Sequence, residues 1–174
     1  MIVGGTGIFS DNEVNSGGDR GEFQKTASVM KMVLDGYAGA GTIAMGGFDY
    51  HTGDRSTGEV RDLRAGRCIG ACLEYAARMN TPVMIYVCSD GSVASNGTID
   101  NSAAGRGKGA WTGDNSSTAA SFFLVYRPGS QLVAIRNQIG RFRSDGSVDT
   151  ASSPAANNVN LLVETVVMNY MAMT

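Results

Sequence analysis

Histidine is almost missing from this chain: His51 is the single copy, so any site built from several histidines is excluded. Cysteine is scarce and odd in number, and Cys68, Cys72 and Cys88 give no complete disulfide framework. There is no basic excess, since 14 Lys and Arg face 16 Asp and Glu and leave a net charge of −2. Too little positive charge remains to neutralise phosphates, so no nucleic-acid partner is expected. Long apolar runs are absent as well. The best of them, such as Pro82 to Cys88, falls far short of the ~20 residues that cross a bilayer, so no membrane span is expected. The start, Met-Ile-Val-Gly-Gly-Thr-Gly, has neither the basic region nor the apolar stretch of a signal peptide.

What is present suits one domain. The 174 residues, 43% of them apolar, can bury a sizeable core. We expect a single α/β domain over residues 1–174, with residues 1–21 irregular. Glycine accounts for 24 residues, roughly twice its usual share of about 7%, and implies long loops. The run Gly4-Gly5-Thr6-Gly7 lacks the spacing of a phosphate-binding loop. From Glu22, Phe23, Ala27, Met30, Val33, Leu34 and Tyr37 recur at helical spacing. A short buried strand is expected at Thr42–Met45, between glycines.

Gly58 to Met79 reads as a second helix, with an apolar stripe of Val60, Leu63, Cys68, Ile69, Cys72, Leu73, Ala76 and Met79. Cys68 and Cys72, four apart, share one face and read as small buried side chains, as does Cys88. Asn80-Thr81-Pro82 stops that helix, and Val83–Cys88 is the clearest strand. Asp90 to Thr118 reads as a long loop. Ser121 to Tyr126 reads as a strand, with a short partner at Leu132 to Ile135 beyond the turn at Pro128-Gly129. Arg136 to Asn158 reads as loop, where Arg136, Arg141 and Arg143 form a small basic cluster on a solvated surface. Asn160 to Met173 reads as an apolar C-terminal helix. This alternation predicts an α/β class with a mainly parallel sheet and helices on both faces.

In such sheets, ligands bind beyond the carboxyl ends of strands. Two segments answer to that place, Gly46-Gly47-Phe48-Asp49-Tyr50-His51 and Ser89-Asp90-Gly91. In an extended chain Asp49 and His51, two apart, point to one side. Joined by Asp90, they make a candidate site for a divalent metal, or a carboxylate that orients a general-base histidine. The alternative is that Asp49 caps a turn and His51 is a surface residue.

The segment MGGFDYHTG, the long helix after it and a strand ending VCSDGS resemble the C-terminal half of an uncharacterised bacterial family. This is domain-of-unknown-function family 1501, in the alkaline phosphatase/sulfatase superfamily. The resemblance runs from about Glu22 to the C-terminus, and GGFDYH is its specific part. It implies an alkaline phosphatase-like sheet. It also implies hydrolysis of phosphate or sulfate esters by metal ions on Asp and His, with a Ser, Thr or formylglycine nucleophile. By position, Asp49 and His51 resemble one ligand pair, and Asp90 resembles the Asp of an Asp-His dipeptide whose His is here Gly91. Later histidines are missing between Gly107 and Ser121, and no earlier nucleophile-bearing strand is expected.

The expectation is therefore a chain that is not a competent hydrolase on its own and that keeps one divalent ion, Zn, Mn or Mg, on Asp49, His51 and Asp90. One alternative is a metal-dependent phosphate or sulfate ester hydrolase with its nucleophile at Ser89, Ser92 or Thr52. Another is a structural or assembly module, a homo-oligomer or an association through a sheet edge or the C-terminal helix. Members of the resembled family are often exported, whereas this chain shows no signal peptide.

Overall fold

The computed structural model describes residues 2–48, 55–89, 92–115, 120–133, 138–144 and 148–173. Its elements are helices α1 (Asp11–Asn15), α2 (Arg20–Leu34) and α3 (Arg55–Arg78), strands β1 (Val83–Cys88), β2 (Ser92–Asp100), β3 (Lys108–Asn115) and β4 (Ser121–Tyr126), a 3-10 turn (Pro154–Asn157) and helix α4 (Val159–Met173). Among the described residues, no helix is long and apolar enough to cross a membrane.

The expected mainly parallel, alkaline phosphatase-like sheet with helices on both faces is not what forms. The strands make two separate antiparallel pairs, β1 with β4 and β2 with β3. The backbone N–H of Ser89, just past β1, donates to the carbonyl of Ala120, just before β4, at 3.1 Å. That contact sets the end of one strand beside the start of the other. β2 and β3 pair from Ser92 opposite Asn115 to Asp100 opposite Lys108, with irregularities after Ala94 and Ser95. The physical reason for the difference is that each strand finds its partner across an antiparallel connection rather than a helical crossover.

The expected strand at Thr42–Met45 is also absent; the run is irregular. Lys25 Nζ donates to the Ala44 carbonyl at 2.6 Å and Arg64 Nη2 to the Gly46 carbonyl at 3.1 Å. A hydrogen bond from a charged donor contributes roughly 1.5–3 kcal/mol against about 1 for a ladder bond, so these carbonyls are satisfied without a sheet.

The chain divides into two compact units. One comprises Met1–Phe48, Thr57–Ile85 and Val125–Leu132; the other comprises Asp49–Ser56, Tyr86–Leu124 and Val133–Thr174. In the first unit, Phe23, Met30 and Leu34 of α2 and Cys68, Ala71, Tyr75 and Ala76 of α3 bury together with Ile8, Phe9 and Val14. The Phe9 and Phe23 rings lie 5.4 Å apart at the centre of this cluster. The part of α3 that joins this cluster therefore starts at Cys68. Val60 and Leu63, expected on the apolar stripe, are exposed.

The N-terminal segment is more ordered than expected. Ser10 caps α1 by accepting from the Glu13 N–H at 3.3 Å, while Glu13 accepts from the Ser10 N–H at 2.8 Å. This reciprocal pair satisfies two donors that the first turn would otherwise leave free. Gly4 to Gly7 closes a tight turn, with the Gly7 N–H on the Gly4 carbonyl at 2.7 Å. A Cβ on Gly7 would lie 2.6 Å from the Val3 carbonyl carbon, so its glycine is a steric requirement.

In the second unit, α4 packs against the 3-10 turn that precedes it, and none of its residues is buried. Tyr86 of β1 and Phe123 of β4 stack with ring centres 5.3 Å apart.

Candidate functional site

The three expected ligands, Asp49, His51 and Asp90, lie outside the described residues, as does Thr52. The structure does describe the motif that leads to them, up to Phe48. Its backbone is held by cationic side chains from two helices. Lys25 of α2, itself 2.8 Å from Glu22, takes the Ala44 carbonyl; Arg64 takes that of Gly46; and Arg61 donates to that of Gly47. Arg61 and Arg64 stand three apart, one helical turn, so they reach neighbouring carbonyls from one side of α3.

Arg64 has further partners. Its Nη1 is 3.2 Å from Asp19 Oδ1, and its guanidinium lies 5.6 Å from the centre of the Phe48 ring. Only 11% of the side chain is exposed. Gly47 adopts φ +87°, a left-handed conformation that side chains resist, and a Cβ there would fall 2.5 Å from Arg61 Nη1. Glycine at this motif position thus has two physical reasons.

One turn further along α3, Arg67 grips Glu13 with two nitrogens, at 2.8 and 3.1 Å, and lies 4.9 Å over the Phe9 ring. The Arg67 hydrogen bond holds the Glu13 carboxyl below its usual range. Arg78 donates to the Thr6 carbonyl at 2.8 Å. The arginines of α3 thus fasten the preceding segments onto it. Sequence reasoning missed this use, although their spacing at 61, 64 and 67 was a usable signal.

The nucleophile candidates fare unevenly. The Ser89 hydroxyl donates to the Ala120 carbonyl at 3.3 Å and accepts from the Ala120 N–H at 3.2 Å. It closes the β1–β4 end. Cys68 is buried and burial raises its thiol pKa; burial also pushes Cys72 up to about 11, so neither is a thiolate nucleophile at neutral pH. Cys88, expected to be buried, is exposed. No group of three or more His, Cys, Asp or Glu arranged to hold a metal occurs among the described residues. No protein-family model, no curated protein and no solved structure matches the chain.

Proposed function

We propose that the chain carries a single divalent-cation site on Asp49, His51 and Asp90 and is not a competent hydrolase by itself. One imidazole and two carboxylates are a donor set suited to Zn, Mn or Mg, and three protein ligands leave room for water or an oxyanion. The observation that carries the reading is the Lys25–Arg61–Arg64 clamp, which holds the carbonyls of Ala44, Gly46 and Gly47 shortly before Asp49. Binding groups that follow a fixed backbone lose less freedom when a ligand arrives. When bound, the ion would supply positive charge to a phosphate or sulfate group. The engaged hydroxyl of Ser89 further supports the absence of a complete hydrolytic apparatus.

The test is a thermal melt with and without Zn²⁺, Mn²⁺ or Mg²⁺. Ligand at a hundredfold excess over Kd stabilises by about 2.7 kcal/mol, which raises the midpoint by several degrees. The rise should vanish in Asp49→Ala and His51→Ala. A wild-type midpoint that no metal moves refutes the site. Turnover of a generic phosphate or sulfate ester, abolished by His51→Ala, refutes the non-hydrolase clause.

A second reading, an assembly module, is favoured by α4. Val159, Val163, Val167, Tyr170 and Met171 follow one another at helical spacing, and all are exposed. Such a continuous apolar stripe on a surface is characteristic of an interaction face.

A further inference from the structure

A cleft of about 290 Å³ opens in the second unit between Gln138, Ile139, Gly140, Arg141, Ala151 and Ser152. This volume lies at the lower edge of the roughly 300–1,000 Å³ of small-molecule sites. The local backbone explains it. Phe142 forms an antiparallel bridge with Val148, and the Asp149 N–H donates to the Arg141 carbonyl at 2.9 Å. In an extended segment residues two apart share a side, so Arg141 and Arg143 both face Asp149. Arg141 Nε is 3.0 Å and Arg143 Nη2 3.8 Å from that carboxylate.

Asp149 stays ionised, because the Arg141 hydrogen bond, helped by the Ala151 N–H, lowers its pKa. Among the described residues, one carboxylate thus serves two guanidiniums, Arg141 in the cleft wall and Arg143 beside it. The wall is held by hydrogen bonds, with the Arg141 N–H on Ser152 Oγ at 3.3 Å and that hydroxyl donating to the Asp149 carbonyl at 2.7 Å. A fixed polar wall, an amide side chain at Gln138 and, among the described residues, two guanidiniums to one carboxylate suit one kind of guest.

We infer that this cleft binds a small hydrophilic oxyanion, a single phosphate or carboxylate group, through Arg141. A guanidinium offers paired donors that match either group.

The experiment is an amide NMR titration of the full chain with inorganic phosphate and, separately, gluconate, at constant ionic strength with chloride as reference. Saturable shifts at Gly140, Arg141 and Ser152 are expected with at least one probe, and the stronger probe identifies the group. Arg141→Gln should weaken binding about tenfold, the usual size of losing a charged hydrogen bond. Arg143→Gln leaves the Arg141–Asp149 bond in place and should also weaken binding, because Asp149 then cancels the Arg141 charge. This second variant decides the matter if Arg141→Gln does not fold. Arg106→Gln, in the β2–β3 connection, removes one charge elsewhere and should change nothing. Shifts no larger than those of chloride, or equal loss in Arg106→Gln, would overturn the inference.

Discussion

Gly47 shows how one residue can carry a constraint that its motif does not announce. The sequence marks GGFDYH for its acid and imidazole, and the second glycine looks incidental beside them. Its φ of +87° strains any other side chain, and a Cβ there would also push the Arg61 guanidinium aside. Gly47→Ala should lose about 1–3 kcal/mol in urea unfolding, from the left-handed penalty and a displaced guanidinium. An unchanged midpoint would show that the backbone relaxes at no cost. The cysteines divide by burial in a way that the sequence only half discloses. Helical spacing gave Cys68 and Cys72 their shared face, but the exposure of Cys88 depends on which side of β1 is covered, a long-range fact. Iodoacetamide at neutral pH should therefore modify Cys88 alone, with the other two reacting only after unfolding, as mass spectrometry of the tryptic peptides would reveal.

At the scale of elements, periodicity found α2, α3, β1, β4 and α4 within a few residues. It failed where ordering comes from something other than an apolar face. The Ser10-x-x-Glu13 box of α1 is a polar signal inside a stretch dominated by glycine and asparagine. β2 contains Ser-Asn-Gly-Thr, too polar to stand out as a strand. The failure at Thr42–Met45 has another origin, because the Ala44 carbonyl, which looks ready for a ladder, is taken by the remote Lys25 side chain.

The link from α1 to α3 makes a pH prediction. Glu13 has its pKa lowered by Arg67, so its contribution is present above the unfolded carboxylate value and disappears as pH falls through the folded one. The thermal midpoint should decline below about pH 4.3, the ordinary glutamate value. Glu13→Gln should melt lower than wild type at pH 7 and lose less on acidification. Parallel acid profiles for the two proteins would mean that the Glu13–Arg67 pair adds nothing.

For the whole molecule, an alternation of helix and strand resembles an α/β sheet from local pattern alone. Whether two strands pair parallel or antiparallel is decided by connections that no short window contains, and here both pairs are antiparallel. The exposed stripe of α4 also belongs to this scale. If it is an assembly face, light scattering should give a mass above that of the 18.1 kDa chain. Val163→Lys with Val167→Lys should return the chain to a monomer without loss of helical circular dichroism, since charge at such a face opposes association. A wild-type monomer at all concentrations would remove the assembly reading.

The arginine spokes of α3 have a dynamic corollary. Because the run ending at Phe48 is moored by side chains from two helices rather than by a strand neighbour, its order is borrowed. When the first turns of α3 fray, several moorings slip together, and amide exchange along Ala44 to Phe48 should quicken in step with that fraying while the aromatic centre around Phe9 and Phe23 stays closed.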